Sequence, residues 1–181
     1  MLVTNINIGR VENIMLNGID ISEVYAGSSY GKASKRWLKF DGSQRIASPI
    51  VAGYALPSAN HVEGGLTFTL PNGIHTGYIT NIRFNDIHLL VKGGHPASDT
   101  AANPPELGVG QYNVSNLKTQ PSWGIWARHV KDLAITNSTF DYEHPDHRYW
   151  LFLNDAKNVR LINNRVAGTA IIGQKETTGL Q

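Results

Sequence analysis

Residues 125–135, Ile125-Trp126-Ala127-Arg128-His129-Val130-Lys131-Asp132-Leu133-Ala134-Ile135, decide the reading of this chain. Their pattern returns at Leu151-Phe152-Leu153-Asn154-Asp155-Ala156-Lys157-Asn158-Val159-Arg160-Leu161. Each copy has a short apolar strand, a polar pair, a small or branched residue, a polar pair ending in Asn or Asp, and a second alternating strand. Ile6-Asn7-Ile8-Gly9-Arg10-Val11-Glu12-Asn13-Ile14-Met15-Leu16 is a third copy, and Ile79-Thr80-Asn81-Ile82-Arg83-Phe84 repeats the second half. Such self-similarity is the mark of a repeat architecture.

The corner residues Asn13, Asn81, Asp132 and Asn158 set the spacing. The last interval is 158 − 132 = 26, read as one coil. The interval 132 − 81 = 51 reads as two coils, and 81 − 13 = 68 as three short coils or two with an insertion. After each corner apolar residues alternate, as in Ile82, Phe84, Ile87 and Leu89, which means strands with one buried face. Gly18, Asp86, Asn137 and Asn163 fall in a second turn-prone column. The same strand type recurring once per coil in one direction calls for stacked parallel sheets. The expected fold is therefore all-β, a right-handed parallel β-helix with coils of about 24–26 residues. Equivalent asparagines would stack as amide ladders. An antiparallel sandwich also has many short strands, but needs no constant repeat. One domain spans residues 1–181, with loop insertions near 22–60 and 92–122 where binding residues would gather.

Composition narrows the functional classes. The net charge is +2 and the basic residues are scattered, which argues against a nucleic-acid groove. No stretch approaches 18 consecutive apolar residues, so no membrane helix is expected. Cysteine is absent, which removes disulfides and thiolate metal sites. The N-terminus lacks the basic and apolar regions of a signal peptide and enters the β pattern almost at once. The expectation is the C-terminal portion of a longer solenoid, whose open first coil near residues 3–16 invites self-association.

Over residues 79–159 the chain resembles the C-terminal part of the polygalacturonase family, the family-28 glycoside hydrolases. The resemblance rests on Ile79-Thr80-Asn81-Ile82-Arg83-Phe84, Gly93-Gly94, Pro104-Pro105-Glu106, Tyr112-Asn113, Pro121-Ser122-Trp123-Gly124, Arg128-His129-Val130, Asp146-His147-Arg148 and Leu153-Asn154-Asp155. It implies a β-helix, a galacturonate- or rhamnose-containing polysaccharide partner, and a secreted or periplasmic location. The family's catalytic motifs, Asn-x-Asp, Asp-Asp, Gly-His-Gly and Arg-x-Lys, do not carry over. Inverting hydrolysis needs a general acid and a carboxylate base on opposite faces of the sugar. Here there is no Asp-Asp or Arg-x-Lys, and Gly94-His95-Pro96 is not Gly-His-Gly. Asn17-Gly18-Ile19-Asp20 only mimics the first motif, because Ile19 and Ile21 occupy the inward register.

Arg128, His129 and Arg148 are the candidate polysaccharide contacts on the coils, since arginine clamps a uronate carboxylate bidentately. The competing reading pairs Arg128 with a loop carboxylate such as Glu106, and Arg148 with Asp146. Trp37 and Tyr54 are candidates for stacking on sugar rings. The stretch Asp141-Tyr142-Glu143-His144-Pro145-Asp146-His147 has metal-ligating residue types, but it joins two coils and Pro145 bars a helix, so no metal is assigned. No cofactor fingerprint is present. Two functions follow. One is a pectin-active glycoside hydrolase part that is inactive alone, and the other a non-catalytic carbohydrate-binding or adhesive β-helix of surface or phage-tail type.

Overall fold

A computed structural model describes residues 11–24, 50–52, 78–104 and 119–181. These are nearly all β, and their strands form one parallel sheet, curled like half a barrel. The sheet has five levels: β1 (Glu12–Val24); β2 (Ile50–Ala52) with β3 (Ile79–Gly93); β4 (Ser122–Thr136) with β5 (Thr139–His144); β6 (Tyr149–Ile162) with β7 (Arg165–Val166); and β8 (Ile172–Lys175) with β9 (Thr178–Leu180). Each level pairs in parallel with the next. Between β4 and β6, Ile125 lies opposite Leu151, Leu133 opposite Val159 and Ile135 opposite Leu161, the register that the repeat predicts.

The spacing of the earlier coils differs from its sequence reading. β3 pairs β4 directly, Ile82 on Leu133, so the 51-residue interval is one level and not two. β1 likewise pairs β3 directly, Ile14 on Ile82, so the 68-residue interval is also one level. Chain length is therefore not a measure of rise along the axis, because strands separated by 51 or 68 residues lie on adjacent levels. The insertion after Gly93 begins with a 3₁₀ turn, Ala97–Ala101.

The corners explain the asparagines. Asn13, Asn81, Asp132 and Asn158 all have φ between 53° and 60°, the left-handed region that Asn and Asp tolerate best. Gly18, Asp86, Asn137 and Asn163 are also left-handed at the second corner, with φ between 51° and 63°. A third column at positive φ, His129, Asp155 and Glu176, was not singled out from the sequence as a corner. The amides bond between levels: Asn81 Nδ2 donates to Asn13 Oδ1 at 2.6 Å, and Asn158 Nδ2 to Asp132 Oδ1 at 2.9 Å. The second ladder runs Asn163 to Asn137, Asn137 to Asn85 and Asn85 to Asn17. On the first two levels its amides thus come from the residue before the corner.

Inward residues stack in columns. Ile14, Ile82, Leu133, Val159 and Leu180 form one, and Leu16, Phe84, Ile135 and Leu161 another. The middle levels are sealed, with Leu133, Ile135, Leu151 and Val159 fully buried. Ile19 and Ile21 pack against the same core, as their inward register requires.

Candidate functional site

Between Ser122 and Val130 burial does not alternate; every residue of this stretch is buried. Ile125 and Ala127 point into the core, so Trp126 and Arg128 lie on the opposite face and something must cover them. Part of the cover is the segment that follows Gly94. Arg128 Nη2 donates to the Pro104 carbonyl at 2.7 Å, and its guanidinium lies 4.1 Å from the centre of the Trp126 ring. Glu106, the loop carboxylate weighed as its partner, lies outside the described residues. Trp37 and Tyr54 also lie outside them.

Arg148 is held more completely. Its Nε and Nη2 donate to the two oxygens of Asp146 at 3.0 and 2.9 Å, and Nη1 donates to the Gln120 carbonyl at 3.2 Å. Both side chains are buried. Asp146 Oδ2 also accepts the His95 N–H at 3.4 Å, and the His95 ring meets Asp99 at 2.9 Å. Burial, reinforced by the Arg148 guanidinium, lowers the His95 pKa despite the opposing pull of Asp99 and Asp146. Asp146, Arg148, His95 and Gln120 thus tie the coil to both ends of the insertion between β3 and β4.

His129 sits beside Arg128 at the third corner, with the level of Asp155 stacked next to it. Its Nδ1 lies 2.7 Å from Asp155 Oδ2. The other oxygen of Asp155 accepts the Tyr78 hydroxyl at 2.8 Å, and Lys157 Nζ sits 4.7 Å from the centre of the Tyr78 ring. Burial first, then the hydrogen bond to Asp155 and its charge, hold the Tyr78 pKa well above the ordinary tyrosine value. Tyr78 is therefore a proton donor to Asp155 and remains protonated at neutral pH. Nδ1 of His129, facing a carboxylate, carries the hydrogen, which fixes the ring's tautomer and orientation.

No family model, curated protein or solved structure matches this chain. The arrangement must be judged on its own chemistry. Tyr78, Asp155 and Lys157 form a rim with the buried His129 behind it, and this rim offers polar groups, one cation and a partly exposed aromatic ring, which suits a hydroxyl-rich ligand. Asp146 has both oxygens committed to Arg148, so it is unsuited to activating water. Among the described residues no three His, Cys, Asp or Glu side chains are grouped to hold a metal ion.

Tyr78, Asp155 and Lys157 were not among the sequence candidates. Asp155 was legible, because it follows His129 by 155 − 129 = 26, the coil interval that places two residues side by side. Tyr78 gave no such signal, since the insertion hides its distance from Asp155.

Proposed function

We propose that this chain forms coils of a right-handed parallel β-helix belonging to a pectin-active glycoside hydrolase of polygalacturonase or rhamnogalacturonan-hydrolase type, in the part C-terminal to the catalytic carboxylates. Five parallel levels with laddered corners support the solenoid, and parallel crossovers are almost always right-handed. The observation that carries the hydrolase reading is the convergence of segments that resemble the family. Pro104 meets Arg128, Asp146-His147-Arg148 meets His95 and Gln120, and Asn154-Asp155 stacks on Arg128-His129. In this reading the rim of Asp155, Tyr78 and Lys157 contacts a galacturonate- or rhamnose-containing chain outside the cell or in the periplasm, while His129, Arg128 and Arg148 hold the wall behind it.

The reading predicts binding of pectic oligosaccharides without their cleavage. Binding on a glycan panel should favour galacturonan or rhamnogalacturonan fragments, and Tyr78→Phe with Lys157→Ala should weaken it. Reducing-sugar release from these substrates that a single substitution in this chain abolishes would refute the non-catalytic assignment. A panel bound with no pectic preference would favour an adhesive β-helix, the alternative to which the missing acid–base pair also points.

A further inference from the structure

A second surface lies away from that rim. Between the first and second corners each level shows its outward side chains to a groove of about 680 Å³. Along its floor run Met15, Arg83, Ala134, Arg160 and Gln181, with Met15 to Arg160 in direct register from level to level. Arg83 and Arg160 are exposed, and among the described residues neither has an ion-pair partner. The buried arginines Arg128 and Arg148 contrast with them, each bonded to its own chain. Ala134, between the two, has only a methyl group, so the floor dips where the guanidiniums face each other.

The chemistry of the walls narrows the ligand. Asn158 and Asn85 use one amide hydrogen each in the ladders, at 2.9 and 2.6 Å, and an amide carries two. The second hydrogens, with Thr136 and Gln181, suit a partner rich in hydroxyl groups. Asp132 is the groove's acidic side chain, and its Oδ1 already accepts the Asn158 amide. Among the described residues no aromatic ring lines the groove, so the described walls offer nucleobases nothing on which to stack. Two guanidiniums two levels apart are separated along the axis by roughly 10 Å, twice the strand spacing. A pyranose unit advances an extended chain by close to one such spacing.

We infer that this groove binds an acidic oligosaccharide lying along the stacking axis, with carboxylates on alternate sugar units held by Arg83 and Arg160 over Ala134. The site stands on the charge and geometry of the groove. It rests on the pectin reading only for galacturonate as the first acid to try.

Calorimetric titration of the full chain with tetragalacturonate, and with neutral maltotetraose for comparison, tests it. The acidic probe should bind more tightly and weaken as salt is added. Arg83→Ala and Arg160→Ala should each weaken binding roughly tenfold, the loss of one charge-assisted contact. Ala134→Glu, which puts a carboxylate between the guanidiniums, should abolish binding with the melting temperature unchanged. Arg165→Ala, exposed but outside the groove, should leave it intact. Equal affinity for maltotetraose, or full affinity in the Arg83→Ala/Arg160→Ala double variant, overturns the site. If binding survives that double variant but falls in Lys157→Ala, the rim binds and the groove does not. If the double variant abolishes binding and tetraglucuronate binds as well as tetragalacturonate, the groove stands and the pectin reading loses its support.

Discussion

Within β4, the residues from Ser122 to Val130 are buried at every position, whereas from Asp132 to Thr136 burial alternates. The second stretch has one face on the core and one toward solvent, and the fully buried Leu133 and Ile135 are read easily from period two. The first stretch is covered on both faces, and its outward Arg128 is held by a hydrogen bond to the chain that covers it. Arg128 and Arg148 belong to this second economy. The same strand is thus scaffold in one half and anchorage for an insertion in the other.

The largest test strikes the one-faced half. Leu133→Asp puts an unpaired carboxylate into a sealed column and should cost about 4 kcal/mol or more, enough to abolish a cooperative melt. In the two-faced half, Arg148→Ala leaves Asp146 buried without its cation. It should cost about 3–5 kcal/mol in denaturant unfolding, and replacing both partners with apolar residues should recover much of it. A loss under about 1 kcal/mol would mean that water reaches Asp146 and that the cover is open.

Arg128→Lys keeps the charge but loses the planar fork. We expect about 1 kcal/mol from the weakened bond to the Pro104 carbonyl. Hydrogen exchange should place the change in residues 94–104 and spare 131–136. Uniform acceleration across β4 would erase the distinction between its halves.

His95 gives a pH arm. Its folded pKa is lowered, so the unfolded chain takes up a proton first as pH falls below its ordinary value of 6.5. Stability is fully present above that value and is lost as pH drops from there through the lower folded pKa. His95→Gln should flatten this part of the stability profile, and a profile unchanged by the substitution would show that other groups set it. The smallest effect is expected at Lys131→Asp, two residues from Leu133 but exposed, where the change should stay within about 0.5 kcal/mol.

Much of the scaffold was legible because its rules are local. Alternating aliphatics gave the inward columns, and a polar residue able to adopt positive φ marked each corner. The level count was not legible, since Gly93 and Ser122 give no sign that the chain between them advances by a single level. A β-carbon at Gly93 would strike the His144 carbonyl oxygen, which explains this glycine but is a contact across levels and invisible along the chain. The site was legible to the same degree. Arg128 and His129 stood out in the repeat, and Asp155 could be placed by the coil interval. Tyr78 reaches Asp155 only through folding around an insertion, and Arg83 and Arg160 come to lie two levels apart on one column only when 51 residues count as one step.

That indifference to length has a use. Successive corners are 68, 51, 26 and 21 residues apart at Asn13, Asn81, Asp132, Asn158 and Gly179, yet they occupy one column at positive φ. The lattice fixes phase and leaves contour free. A foreign segment spliced between Pro104 and Thr119 would change the molecule's mass and outline without moving a residue of the column. One residue added between Leu133 and Ile135 would reverse every side chain beyond it. Such a scaffold can acquire new surface features by insertion while its core keeps the same address for every layer.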